Sequence, residues 1–583
     1  MKGFLKNILA TIIGIVSGVF IIMLLFIGLI GVLSNEEEVK VKENSILKID
    51  LGKLSVVERS SNNPFTQLNL SGEINETIGI KEILDNIEKA KNDINITAIY
   101  INTSFIINAG ISQTEEIRNK LLEFKKTGKK IIAYSEVYSQ NAYYLASVAN
   151  KIYLNPEGVI DLKGLSASIM FYKGLFEKLD IEIQIIRHGK FKSAVEPFTL
   201  KKMSPSNRKQ LELLLSSFTN NIMDSIASQR EIPLSEIEMH ANLLMLEDAE
   251  TCLELNYVDS LLYEDQVKNI LADMSELHEL NIVSIKKYSS VKTIKKDISR
   301  NKIAIIYASG SINSGEGNEE MIGSETTVKA IKKASDDKNV KAIVLRINSP
   351  GGSALASDVI LREILLVKEK KPLVVSMGDY AASGGYYIAC AADSIVANPT
   401  TLTGSIGVFG IIPNLEKFYD NKLGITIDTV NSHKYADMGI NRKLSQLEIK
   451  RMQNSVKNVY NTFISHVSKG RKMSKEAVDE IGQGRVWTGY DAKKIGLIDT
   501  YGGIEKAIEI ASALAEVEDY RIISLPTQKD PFTDLALKLG ERNNIADFLF
   551  KEFGIKSKLI KPIEEILTSD QIQARIPFTI ELE

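Results

Sequence analysis

Cysteine is nearly missing. Cys252 and Cys390 are the only two in 583 residues, and neither sits in a CxxC spacing, which excludes a disulfide framework and a cysteine-rich zinc site. Both read as small buried hydrophobes. Net charge is close to nil as well: 71 Lys and Arg face 74 Asp and Glu, a formal −3, and no local basic arm advertises a nucleic-acid partner. Histidine is scarce, and the five present (His188, His240, His278, His433 and His466) fall in no recognisable triad arrangement. With 44% hydrophobic and 25% charged residues, the chain is neither disordered, collagenous nor a multi-span transporter. Its length predicts two or more globular units.

One long apolar run is present. From Ile8 to Leu33 the sequence carries no charge, and about 20 apolar residues suffice to cross the hydrocarbon core. The run exceeds a signal-peptide core and lacks a convincing cleavage site, so residues 1–35 are expected to be a cytoplasmic N-terminus and an uncleaved anchor. Lys2 and Lys6 precede the span and Glu36, Glu37 and Glu38 follow it, which places the N-terminus in the cytoplasm and the rest of the chain outside.

The body reads as a tandem duplication. The stretch from Tyr134 lies over that from Met377 at an offset of 243, with Tyr143 and Tyr144 over Tyr386 and Tyr387, Pro156 over Pro399 and Gly164 over Gly407. Each half alternates short apolar strands with amphipathic helices, the pattern of βαβ units in a largely parallel sheet. The repeats are expected at 45–280 and 301–525, joined by a polar linker at 281–300 and followed by a helical tail at 526–583.

Candidate chemistry gathers at two strand-to-helix turns of the second half. In NSPGGSA, Asn348 to Ala354, paired glycines leave N–H groups unblocked at a helix N-terminus, an anion or oxyanion cradle. No GK[ST] follows, so this is not a Walker A loop. In DYAASGGYY, Asp379 to Tyr387, Ser383 sits where a nucleophile would feel the positive helix end, although capping that helix is the competing role. A histidine that meets the serine only in space stays open, and lysine is the other general base that can do the work. Holding a lysine neutral at pH 7 costs about 4.6 kcal/mol in water, so such a site must be apolar and dry. Lys190 and Lys192, in RHGKFKSAVEPF, are the candidates.

These motifs, with LTGSIGVFG, MSP in the first half and GRVWTGYDAKKIGLID near residue 490, resemble bacterial signal peptide peptidase A (SppA, protease IV) in its long two-domain form, over roughly residues 45–520. The resemblance implies an α/β fold of tandem duplicated ClpP/crotonase-like domains after an N-terminal transmembrane helix. It implies a Ser-Lys endopeptidase that needs no metal or cofactor. Ser383 matches the nucleophile, Lys192 rather than Lys190 the general base, and Ser405 the serine that orients the lysine. Gly351, Gly352 and Gly384 match the oxyanion hole, with the choice between the first two open. Peptide substrates such as released signal peptides, a homo-oligomer (tetramer) and a body on the periplasmic side of the bacterial plasma membrane follow from the same likeness. A crotonase-type acyl-CoA enzyme and a catalytically silent membrane scaffold are the competing classes.

The duplication checks this assignment independently. At the same offset Ser383 falls on Gln140 and Lys192 on Tyr435, and PGGS has become SFIINAG from Ser104. The first half has lost the serine and the second the lysine, so a working pair, if the chain is catalytic, is expected across the contact between the halves, with a neighbouring subunit as the competing source.

Overall fold

The computed structural model describes residues 14, 17, 18, 21, 40–61, 76–274, 280–291, 299–528 and 572–576. Apart from four helical positions, the expected anchor lies outside the described residues, among which no helix is long and apolar enough to cross a membrane.

Each half builds its own sheet from apolar runs too hydrophobic to face water on either side. In the first, the parallel order runs Ser260–Leu261, Lys151–Asp161, Lys130–Ser139, Ile96–Asn102, Ser45–Ile49 and Asn281–Ser284. In the second, Leu402–Gly404, Leu373–Ala382, Val340–Ser349, Lys302–Ser309 and Arg521–Leu525 run parallel, and Val486–Thr488 closes one edge antiparallel. Helices alternate with the strands, as expected, and cover the faces. Ala354–Lys368 begins where the Ser353 hydroxyl accepts from Ala356 N. Pro205–Arg230 and Gln446–Arg471, counterparts in the two repeats, are each 26 residues long and each end in a left-handed C-cap.

Three parts of the chain depart from expectation. The linker at 281–300 is not merely polar spacer: its first residues form the edge strand Asn281–Ser284 and the helix Ile285–Ser289, whose Ile285 and Tyr288 are buried. The tail is not helical where it is described, since Ile572–Arg575 is a strand. Lastly, a third sheet was not legible. It runs Met321–Gly323, Ser311–Asn313, Gly351–Ser353, Ile572–Arg575, Val408–Asn414 and Glu182–His188, mixing both halves and the tail.

The halves are fused by a shared interior rather than merely strung together. One hydrophobic cluster holds Leu47, Ile99 and Phe124 of the first repeat with Ile305, Val344 and Ile504 of the second. Buried polar groups fix the register of that contact. Arg346, with no exposed surface, donates to Glu58 at 2.7 Å and to Glu116 at 2.8 Å. Asp379 accepts from the N–H groups of Ser112 and Gln113 at 3.0 and 3.2 Å, at the start of the helix Ile111–Lys125.

Candidate active site

Ser383 stands between the strand Leu373–Ala382 and the helix Gly384–Ala389. Its backbone is at φ 55° and ψ −110°, a conformation that costs a non-glycine residue about 1–3 kcal/mol and persists only where neighbours enforce it. The enforcing contact is Ser383 N donating to Gly404 O at 2.7 Å. The hydroxyl makes no capping bond to the helix, so the capping alternative falls away. It faces Lys192 instead.

Lys192 arrives from the other repeat. It follows the strand Glu182–His188, which pairs antiparallel with Val408–Asn414, and precedes the turn Ser193–Val195. Glu196 anchors this segment by accepting from Ser204 N at 3.1 Å, Ser204 Oγ at 2.6 Å and Asn207 Nδ2 at 3.2 Å, which gives the VEPF and MSP motifs a structural purpose. Gly484 lets the lysine backbone sink in: a Cβ there would lie 2.6 Å from Lys192 N, at φ +82°. Lys190, two residues earlier, is exposed.

The Lys192 Nζ lies 2.8 Å from Ser383 Oγ, 3.1 Å from Ser405 Oγ and 3.3 Å from Ser405 O. All three residues have 0% exposure. Burial alone drives the Lys192 amine well below the ordinary lysine value, with no carboxylate opposing it. A neutral amine offers two donors and one lone pair. Nζ donates toward Ser383 Oγ and both Ser405 oxygens, while the Ser383 hydroxyl donates toward Gly407 O at 3.4 Å. In the neutral form the two amine hydrogens fit the Ser405 oxygens, which turns the lone pair toward Ser383 Oγ. The Ser405 hydroxyl in turn donates toward Gly484 O at 3.4 Å. Like Ser383, Ser405 is held at positive φ, 51°.

Gly351 and Gly352, at one strand-to-helix turn, lie against Gly384 at the other. A Cβ built on Gly351 would come within 2.8 Å of Gly384 N, and one on Gly384 within 3.1 Å of Gly352 N. In the first repeat the equivalent place is sealed: the Gln140 side chain accepts from Gly164 N at 2.9 Å. Tyr435, the position equivalent to Lys192, lies in an irregular and largely exposed stretch. Sequence reasoning missed Gly484, which lies against the Lys192 backbone, Gly407, where a Cβ would lie 3.2 Å from Lys192 Cδ, and Phe409, whose ring centre stands 5.9 Å from Nζ. Gly407 and Phe409 belong to LTGSIGVFG and Gly484 to GRVWTG, so the motifs carried the signal without saying what each residue touched.

Comparison with known proteins gives the family. The profile of peptidase family S49 matches residues 123–278 and again 366–518, one match in each repeat. The Protease 4 of Salmonella typhi is 36% identical over 528 residues, covering 87% of this chain and 84% of that protein. The chloroplastic serine protease SPPA of Arabidopsis thaliana is 34% identical over 518 residues, covering 87% of this chain and 75% of that one. A solved ClpP1 mutant from Listeria monocytogenes aligns at 16% identity and a TM-score of 0.24, over 35% of this chain and 94% of that chain. The α/β architecture, the duplication and the two family matches agree: the chain belongs to peptidase family S49 and is a serine protease.

Proposed function

We propose that this protease is a Ser-Lys dyad endopeptidase in which Ser383 is the nucleophile and Lys192 the general base. The observation that carries the reading is the 2.8 Å contact between Nζ and Oγ in a site with no exposed surface and, among the described residues, no carboxylate acting on the amine. Neutral Lys192 takes the hydroxyl proton as Ser383 Oγ attacks a peptide carbonyl carbon. Negative charge then gathers on the carbonyl oxygen, where the N–H groups of Gly384 and of Gly351 or Gly352 receive it. Protonated Lys192 delivers its proton to the departing amine, and a water deprotonated by the same amine hydrolyses the acyl-enzyme. Ser405 is a positioning residue that holds the two amine hydrogens away from the attacking oxygen.

The substrates we infer are apolar peptides such as released signal peptides, cut on the extracytoplasmic face of the membrane to which residues 1–35 tether a homo-oligomer, a tetramer. This rests on the apolar run from Ile8 to Leu33, on its flanking charges and on the likeness to SppA. The deciding experiment is labelling by a serine-directed acylating probe together with cleavage of a signal-peptide substrate. Both are lost in Ser383→Ala and Lys192→Ala and kept in Lys190→Ala; retention of both in Ser383→Ala refutes the reading.

A further inference from the structure

The strand Ile572–Arg575 lies where a peptide substrate would have to lie. It is inserted between Gly351–Ser353 and Val408–Asn414 and runs antiparallel to both. Addition of an extended peptide to exposed strand edges is a general mode of peptide recognition. Here the two edges are bridged by the chain's own C-terminal segment. Ala574 has 0% exposure, Ile576 6% and Gln573 8%, so the strand is seated as an interior element.

The register sets the strand against the candidate oxyanion glycines. Arg575, Ala574 and Gln573 face Gly351, Gly352 and Ser353 in turn, and Gln573 also faces Phe409. Ile576 N donates to Pro350 O at 2.9 Å. Hydrogen-bonded pairs alternate along an antiparallel ladder, so the next such pair joins Ala574 to Gly352 and aims Gly352 N at the Ala574 carbonyl. The glycines permit the approach: a Cβ on Gly351 would stand 2.1 Å from Ala574 O, and one on Gly384 3.1 Å from it. The Ala574 carbonyl therefore rests among the three candidate oxyanion glycines, beside the residue that follows Ser383.

We propose that residues 572–576 are an internal occupant of the substrate groove, with Ala574 in the place of the residue whose carbonyl is attacked, so that the C-terminal segment competes with incoming peptides. The proposal rests on the Ser383 and Lys192 reading. Affinity for a binding-competent state that is only partly populated falls by the populated fraction, so a groove free one-tenth of the time raises KM about tenfold.

The test uses the full-length, detergent-solubilised protein, a variant ending at Gln571, and Ala574→Trp, which keeps the chain length but places an indole against the glycines. Either variant is expected to lower KM for an apolar peptide about tenfold with kcat little changed. A synthetic peptide of residues 570–578 is expected to inhibit the truncated protein competitively and the full-length protein far more weakly. Unchanged or raised KM in both variants, or no inhibition of the truncated protein by the peptide, overturns the proposal. Cleavage that requires Ser383 but ignores truncation and Ala574→Trp sinks the occupant alone. Cleavage that survives Ser383→Ala sinks the dyad reading.

Discussion

Lys192 Nζ and Ser383 Oγ are hydrogen-bonded at 2.8 Å although 191 positions separate them and each belongs to a different repeat. Burial holds the amine far below its ordinary value. The rate should therefore rise with pH as Lys192 loses its proton, with an apparent pKa well below that of a free lysine. Removing either residue should lower kcat by ~10⁴-fold or more, since members of a proton-transfer unit fail together. A kcat/KM profile that climbs only above about pH 10 would contradict a desolvated base.

The same burial has a consequence for stability. In the unfolded chain Lys192 takes a proton as pH falls through about 10.5, while the folded amine stays neutral to a much lower pH. The unfolded state then binds the extra proton, and folding stability drops as pH falls through that window. Lys192→Met removes this penalty. Its Tm relative to wild type should be higher at pH 7 than at pH 10, and thermal melts at the two values read the difference. An offset independent of pH would argue against a neutral buried amine.

Ser405 holds the amine by two contacts and does not face the reacting carbonyl in the proposed chemistry. Ser405→Ala should lower kcat by ~10²-fold, the scale of a mispositioned catalytic group, with KM little changed. Its pH–rate profile should also move, because one acceptor of the lysine N–H is gone. A matching loss in KM alone would assign Ser405 to substrate binding.

Arg346 joins the repeats through Glu58 and Glu116. Removing one partner of a buried ion pair leaves uncompensated charge, at a cost of about 3–5 kcal/mol. Arg346→Met should shift the urea midpoint accordingly, and adding Glu58→Gln and Glu116→Gln should recover part of the loss. Full stability in the single variant would remove this trio from what aligns Lys192 with Ser383.

Gly484→Ala tests how closely the base is packed. A methyl group 2.6 Å from Lys192 N, on a backbone at φ +82°, must displace the lysine segment. Activity should fall by ~10²-fold or more while the folded core persists, as read by kcat/KM beside far-UV circular dichroism.

Much of this was legible in the amino-acid order. The duplication and the alternation of strand and helix follow from local pattern, which a one-dimensional sequence records. The losses at Gln140 and Tyr435 already pointed to a working pair across the halves. The third sheet was not legible, because its strands are three to seven residues long and come from both repeats and the tail. Short strands without strong alternation are fixed by the partners they meet, not by their own composition.

The chain by itself determined that an anion cradle and a serine at a strand-to-helix turn belong to one repeat and a lysine segment to the other. Only the tertiary structure decided that these converge, that Gly484, Gly407 and Phe409 stand along the Lys192 backbone and side chain, and that Ala574 pairs with Gly352 beside them. The reason is physical: proximity across 191 positions and exclusion of solvent are properties of packed surfaces, and neither is written in any local stretch of residues.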